Sequence, residues 1–364
     1  SVSISSGNAG TGNNSEHVHP DDRDRISRDL TRGNKVLILA GMRTYSKEEK
    51  FLLNSLSFYR QITVIAENIT NLTSDFFISC PEIILGSLGE IEKKFLTPDL
   101  VISFGGQVVS KKVRLFVQGL KDVPVLALNT FPQQLFSDIP AGNEPTGENR
   151  YLKLWKSAEK IALEKAGKYL SEAPFANLTA VGKILKALPE DIKVHLGNSG
   201  TIRYSQLFPS NAELTYYSNR GTSGIDGCLS AAAGAAMVSD NLHVAILGDL
   251  SFVYDSNGLW NRNFPQNLKI IVLNDQGGGI FRIIEGPEKM PFFEEFSVAH
   301  HPVSIKLLTE AFGLKYFKAS NYEELNQCLG TILEKDSGAS VLEVETWNCE
   351  NNSIFKKFYY SIKN

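Results

Sequence analysis

The sequence predicts an α/β protein built of two doubly wound, parallel-sheet domains. Three observations carry that expectation. From Lys35 onward short apolar runs alternate with helical stretches, and the same alternation resumes at Lys193. Between the two series lies Phe131–Arg150, rich in Pro and Gly, in which no periodicity survives. Two apolar runs of the second series, His243–Leu247 and Leu268–Leu273, each end in an acidic cluster: Gly248-Asp249 in one case, Asn274-Asp275 followed by three glycines in the other. Strands that alternate with helices at this spacing form a parallel sheet covered on both faces. Such sheets carry ligands at the carboxyl ends of their strands, beside the switch point. The expected division is a linker or appended tail over 1–34, a first domain over 35–150 and a second over 151–364.

Length and composition agree with two domains. The chain has 364 residues, 42% hydrophobic and 21% charged, which is ordinary for a globular protein with a core in each domain. Lys and Arg number 37 against 40 Asp and Glu, a net charge of −3, so no electrostatic case exists for nucleic acid or an anionic membrane. No apolar run reaches the length of a membrane span and none at the start reads as a secretory signal. Cys80, Cys228, Cys328 and Cys349 are scattered, which suits free thiols better than disulfides or zinc. A cytoplasmic location is therefore expected.

In chain order, Ser1–Asn34 is rich in Ser, Gly and Asn and reads as linker; His17 and His19 lie in this polar tail as solvated side chains. Lys35–Gly41, Ile62–Glu67, Leu100–Gly106 and Pro124–Asn129 read as strands. Ser46–Tyr59, Leu88–Phe95 and Lys111–Leu120 read as the intervening helices, the first with Glu48 and Glu49 in its opening turn as the helix dipole favours. Gly105-Gly106 lacks the G-x-G-x-x-G spacing of a dinucleotide site. After the boundary, helices are expected over Tyr151–Leu170 and Phe175–Leu188, then strand-bearing stretches Lys193–Gly200 and Thr215–Gly221. Gly224–Ser239, dense in Ala and Gly, reads as a helix suited to close packing on a sheet or another subunit. Asn321–Lys335 is an amphipathic helix with Asn321 as its cap, and Ser340–Thr346 a last strand.

The chemistry concentrates in Gly248–Gly279. Asp249 and Asp275, on loops at the ends of two neighbouring strands, stand beside the bare backbone of Gly277-Gly278-Gly279. Two carboxylates and exposed peptide groups suit a small oxygen-seeking cation that carries a phosphorylated ligand. Ser251 reads as the start of a helix whose N–H groups favour a diphosphate oxygen.

This arrangement resembles the diphosphate-binding motif of thiamine-diphosphate enzymes. The resemblance implies that Asp249, Asp275 and the Gly277 carbonyl hold Mg²⁺ or Mn²⁺. It also implies that Gly248, Asp249, Leu250, Ser251, Gly278, Gly279 and Ile280 contact the cofactor. Leu250 stands where the family usually has glycine and Asp275 where asparagine is commoner; a carboxylate keeps the oxygen ligand and adds negative charge. Ser218–Gly227 (SNRGTSGIDG) and Gly197–Arg203 (GNSGTIR) narrow the resemblance to the 2-succinyl-5-enolpyruvyl-6-hydroxy-3-cyclohexene-1-carboxylate synthase family of menaquinone biosynthesis. It spans roughly Lys35–Thr346, with every specific motif after residue 190. Members decarboxylate 2-oxoglutarate on thiamine diphosphate and add the resulting succinyl unit to isochorismate.

Both substrates are dianionic and call for cationic forks. The resemblance assigns Ser199, Arg203 and Arg220 to the substrates, with Lys111 of the first domain aligned less securely. Ser223 and Gly224 fall to the cofactor, and Ile225 is the aliphatic prop that bends it. Ile280, Phe281, Ile284 and Phe292 are candidates for an apolar wall, equally ordinary as core residues. His300 and His301 are not expected to act as acid or base, because the cofactor supplies its own. The resemblance also implies a homodimer or homotetramer. It implies a central Rossmann-like domain at 35–150, a diphosphate-binding domain at 151–364, and a pyrimidine-binding domain, with the activating glutamate, that this chain lacks. On that expectation the chain alone is inactive and its own residues include no catalytic glutamate. Two other readings remain open: another thiamine lyase or decarboxylase resembling acetolactate synthase, and an α/β ligand-binding module without chemistry.

Overall fold

The computed structural model describes residues 34–59, 61–133, 136–137, 148–283, 290–334, 337–347 and 349–363. The tail with His17 and His19, most of the expected boundary stretch and Ile284 lie outside the described residues. Two compact units are present. The first takes the described residues up to Gly167 with Pro209–Ala212 and the chain end from Ile362; the second takes Lys168–Phe208 and Glu213–Ser361. No helix among the described residues is long and apolar enough to cross a membrane.

The first unit contains β1 (Val36–Ala40), α1 (Lys47–Leu56), β2 (Ile62–Ala66), β3 (Phe77–Ile78), α2 (Pro81–Ser87), α3 (Glu90–Phe95), β4 (Leu100–Phe104), α4 (Lys111–Gln118) and β5 (Val125–Leu128). All five strands pair in parallel in the order β3-β2-β1-β4-β5. Every residue of β1 and β2 is buried, so these strands read as continuous apolar runs rather than alternating ones. Ser46 caps α1 reciprocally: its Oγ accepts from Glu49 N–H at 3.2 Å while Glu49 Oε2 accepts from Ser46 N–H at 2.8 Å. The glycines after β1 and β4 serve packing. Gly106 N–H donates to the Met42 carbonyl at 3.1 Å, and a Cβ on Gly41 would strike the Gly106 backbone.

Two local expectations need correcting. Leu88–Phe95 is not one helix: Leu88 is extended, and α3 starts only at Glu90 because Gly89 caps it, its N–H donating to Glu92 Oε2 at 2.7 Å. Strand β3 and helix α2 were not expected at all; one is two residues long and the other opens on Pro81 within a short apolar run.

Helix α5 (Arg150–Glu172) follows, and its end, from Lys168, belongs to the second unit. That unit continues with α6 (Asn177–Ala187), β6 (Lys193–Leu196), α7 (Gly200–Ser205), β7 (Thr215–Tyr217), α8 (Cys228–Met237), β8 (His243–Gly248), α9 (Asp249–Tyr254) and β9 (Leu268–Asn274). It ends with α10 (Ile305–Ala311), β10 (Lys315–Ala319), α11 (Tyr322–Ile332), β11 (Ser340–Glu345) and α12 (Asn351–Lys363), of which the part up to Ser361 belongs to this unit. The six strands are parallel in the order β10-β11-β9-β8-β6-β7. β8 and β9 lie side by side near the middle, from His243 opposite Leu268 to Gly248 opposite Leu273. Their carboxyl ends therefore emerge together.

The small-residue helix is shorter than expected, α8 starting at Cys228 after Gly227 in the left-handed region. The strands in Lys193–Gly200 and Thr215–Gly221 stop at Leu196 and Tyr217. Ser251 does not open a helix: α9 begins at Asp249, with Gly248 as its cap. Asn321 caps α11 as expected, its side chain accepting from Glu324 N–H at 2.9 Å. Helices α10 and α12 and strand β10 were not expected.

Between β6 and the start of β8, His195 Nε2 and His243 Nδ1 are hydrogen-bonded at 2.8 Å, and His195 is stacked on Tyr217 with ring centroids 5.2 Å apart. Burial, and then the neighbouring His243, push His195 down to about 4 from 6.5; burial and Lys193 push His243 down as well. A histidine whose folded-state value is depressed favours the fold while neutral, so its contribution is whole above about pH 6.5 and is lost as pH falls towards about 4. Urea stability should accordingly fall over that window, by up to about 3 kcal/mol from His195. His195→Gln should flatten the fall; the same pH slope in the variant would show that the pair does not cause it.

Candidate functional site

The carboxyl ends of β8 and β9 form one side of a cavity of about 150 Å³ within the second unit. Asp249, the first residue of α9, is 2% exposed. Its Oδ2 accepts from Gly277 N–H at 2.8 Å and lies 3.2 Å from His301 Nε2; its Oδ1 accepts from Leu250 N–H at 2.7 Å. Asp275 follows β9 and is half-buried, its Oδ2 accepting from Asn177 Nδ2 at 3.0 Å. Burial first, and then the facing Asp249, push the Asp275 carboxyl well above the usual range. Two carboxylates thus share one cavity wall at the carboxyl ends of the strands.

The glycine run shapes that wall. Gly277 has φ +144°, and a Cβ there would lie 2.5 Å from the Val298 carbonyl oxygen. At Gly279 a Cβ would overlap the Asp275 carboxylate. At Gly248 nothing lies within 4 Å of such an atom, so the space at the strand end is open. The backbone can approach a ligand here only because these side chains are missing.

Facing β8 and β9, two loops are tied together by Asn198. Its Nδ2 donates to the carbonyls of Asn219 at 2.8 Å and Gly224 at 2.7 Å, and its Oδ1 accepts from Arg220 Nη1 at 2.8 Å. Ser199, next in sequence, takes φ +73°, a conformation rare for a residue with a side chain and characteristic of functional loops. Arg203 Nη1 donates to the Ser199 carbonyl at 2.6 Å. Ser251 Oγ donates to the Ile225 carbonyl at 2.5 Å, which joins the α9 start to the same loop.

Of the residues singled out in the sequence, Ser199, Ile225, Gly248, Asp249, Leu250, Ser251, Asp275, Gly277, Gly278, Gly279, Ile280 and Phe281 line the cavity. Arg203, Arg220, Ser223 and Gly224 do not line it, although they stand in the loops that do. Phe292 is 69% exposed and also lies outside the lining. Lys111 opens α4 in the first unit. Sequence reasoning missed Asn177, Thr201 and Tyr204, which reach the cavity from α6 and α7. It also missed the contact of His301 with Asp249; Thr201 and Tyr204 lie in or beside the GNSGTIR stretch, whereas nothing in the local pattern around Asn177 or His301 signals the site.

The donor set fits a hard divalent cation. Asp249 and Asp275 offer carboxylate oxygens and the Gly277 peptide a carbonyl, which is the ligand chemistry that Mg²⁺ and Mn²⁺ take. Among the described residues no group of three or more His, Cys, Asp or Glu is gathered to hold a metal, so a backbone oxygen is the natural third donor. Mutual repulsion of the two carboxylates is what a cation would relieve. The glycine cradle beside them fits a diphosphate that shares that cation. If steric closeness is the reason for glycine, Gly277→Ala should lower unfolding free energy by about 1–3 kcal/mol in a urea melt. Gly248→Ala should lower it by less than about 1 kcal/mol; equal losses would contradict the steric account.

Residues 197–344 match the family model described as "Thiamine pyrophosphate enzyme, C-terminal TPP binding domain". Proteins named 2-succinyl-5-enolpyruvyl-6-hydroxy-3-cyclohexene-1-carboxylate synthase match most of the chain. The one from Desulfotalea psychrophila is 36% identical over 85% of this chain and 58% of its own length. That from Flavobacterium johnsoniae is 31% identical over 89% and 61%, and that from Cytophaga hutchinsonii 31% over 93% and 63%. The chain spans about three fifths of the length of these relatives. With its two parallel-sheet α/β units and the match at 197–344, the chain resembles a 2-succinyl-5-enolpyruvyl-6-hydroxy-3-cyclohexene-1-carboxylate synthase and carries the TPP-binding domain of a thiamine pyrophosphate enzyme.

Proposed function

We propose that this chain is part of a thiamine-diphosphate-dependent synthase of menaquinone biosynthesis that decarboxylates 2-oxoglutarate and joins the remaining four-carbon unit to isochorismate. The observation that carries the reading is the single cavity in which Asp249, Asp275 and the Gly277–Gly279 backbone meet, inside the segment that matches the TPP-binding domain. The names of the relatives support the synthase reading, and the resemblance carried by Gly197–Arg203 and Ser218–Gly227 supplies the pathway. In this reading residues 35–150 are the central domain and 151–364 the diphosphate-binding domain.

Thiamine diphosphate supplies the carbon nucleophile that takes up a 2-oxo acid and the electron sink for its decarboxylation. Asp249, Asp275 and the Gly277 carbonyl hold the Mg²⁺ or Mn²⁺ that neutralises the diphosphate. Backbone at Gly248, Leu250, Gly278 and Gly279, with the Ser251 side chain fixed by its bond to the Ile225 carbonyl, cradles the phosphates. Ile225 and Ile280 give the cavity its apolar side, and Ser223 and Gly224 set the loop that presents Ile225.

Substrate carboxylates need charge-assisted donors held in a fixed direction. Arg220 is 9% exposed and has one Nη committed to Asn198, so its fork is oriented before any ligand arrives. Arg203, at the exposed side of α7, is oriented by the Ser199 carbonyl, and Ser199 offers a hydroxyl beside it. Lys111 is assigned to the same carboxylates by resemblance.

Calorimetric titration of the chain with thiamine diphosphate tests the cofactor assignment. Binding should require Mg²⁺ or Mn²⁺, and Asp249→Asn should weaken it at least about tenfold, or about 1.4 kcal/mol. Binding indifferent to both the cation and the substitution would overturn the assignment.

A further inference from the structure

Asn177 opens α6, far in sequence from every motif above, yet its side chain is 4% exposed and lines the cavity. Its Nδ2 donates to Asp275 Oδ2 at 3.0 Å. Tyr204, from α7, lines the same cavity. On the other side, Asn177 Oδ1 accepts from Thr346 Oγ1 at 2.7 Å. Thr346 Oγ1 has a single proton, and the Asn274 carbonyl, at 3.3 Å, is the more distant of its two acceptors.

That hydroxyl settles the amide. A flipped Asn177 would turn its oxygen on the Asp275 carboxylate, losing that bond, and would leave the Thr346 proton only the longer bond to the Asn274 carbonyl. The backbone closes the frame. Asn177 N–H donates to Asn351 Oδ1 at 2.8 Å, Asn351 Nδ2 donates to the Thr346 carbonyl at 3.0 Å, and Thr346 N–H donates to the Asn274 carbonyl at 2.8 Å. Asn274 immediately precedes Asp275, so main chain and side chain of the ligand are referred to one network. Gly279 also lies against Oδ2, and a Cβ there would overlap the carboxylate.

We propose that Asn177, oriented by Thr346, is a positioning residue that holds the Asp275 carboxylate in one rotamer for a small octahedral cation. The inference rests on Asp275 being a cation ligand. Its consequence is selectivity as well as affinity. Mg²⁺ and Mn²⁺ are small and take octahedral oxygen sites, Mg²⁺ with near-ideal geometry, whereas Ca²⁺ tolerates variable number and direction of ligands. A carboxylate released to turn should therefore harm Mn²⁺ more than Ca²⁺. Removing an outer partner of a metal ligand typically lowers affinity about 10–100-fold.

The test is Mn²⁺ titration of the full chain followed by the electron paramagnetic resonance of free Mn²⁺, with Ca²⁺ as competitor, beside thermal melting. Four proteins are compared: the unaltered chain, Asp275→Ala, Asn177→Leu and Thr346→Val. The last replaces a hydroxyl by a methyl of similar shape and keeps the test valid should Asn177→Leu fold poorly. Asp275→Ala should abolish tight Mn²⁺ binding. Asn177→Leu should weaken Mn²⁺ at least about tenfold and Ca²⁺ less than about threefold, with Thr346→Val changing the ratio in the same direction. If Asp275→Ala removes Mn²⁺ binding while Asn177→Leu and Thr346→Val keep the unaltered Mn²⁺ to Ca²⁺ ratio, the positioning role is overturned and the ligand reading stands. If the unaltered chain binds no Mn²⁺, or Asp275→Ala binds it normally, the ligand reading falls and the inference with it.

Discussion

Two carboxylates at the ends of adjacent strands, turned to one cavity, one buried and the other half-buried, are the constraint around which the second unit is arranged. Like charges so placed repel strongly because the surrounding medium screens them poorly. The structure answers with fixed partners. The Gly277 N–H and His301 meet Asp249, while Asn177 meets Asp275. The β8–β9 pairing brings the two together, and the glycines let the chain turn closely around them. None of these contacts neutralises both charges together, and a shared cation is the group that would.

The first unit shows the contrast. It has the same parallel design, and Glu67 follows β2 much as Asp249 follows β8. Burial pushes the Glu67 carboxyl up to about 7. Here, however, two backbone N–H groups, from Val109 and Ser110, donate to its two oxygens at 2.7 Å each. A carboxylate bound on both oxygens by the main chain is a structural element, closing the loop before α4. Likewise Gly41 and Gly106 are used for packing one loop on another rather than for opening space. Acid and glycine after a strand therefore carry different meanings in the two units, and the partners decide which applies.

Much of this was legible in the sequence because the central strands are buried on both faces. Runs such as Val36–Ala40 and Leu268–Asn274 leave no other assignment, and the acids and glycines that end them mark the ligand side of the sheet. What was not legible depends on the chain meeting itself at long range. Asn177, Thr346 and His301 have no local signature, and their roles appear only when α6, the end of β11 and the loop before α10 converge. Short elements were lost for a different reason: β3 has two residues, and α2 and α3 are separated by a Gly89 cap that propensity alone does not reveal. The early start of α9 follows from Gly248 acting as its cap, which moved the helix two residues ahead of Ser251. Arg203 and Arg220 stand out in the sequence only by their loops, and the hydrogen bonds of Arg203 to the Ser199 carbonyl and of Arg220 to Asn198 appear only in the structure.

The central claim is that Asp249, Asp275 and the Gly277 carbonyl converge on one cation that carries a diphosphate. Anomalous diffraction from crystals of the chain grown with Mn²⁺ and thiamine diphosphate addresses it directly. The account predicts one strong Mn²⁺ peak about 2 Å from an oxygen of each of the three residues, with diphosphate density beside Gly278 and Gly279. An Mn²⁺ peak elsewhere, with the two carboxylates turned away from each other, would contradict it.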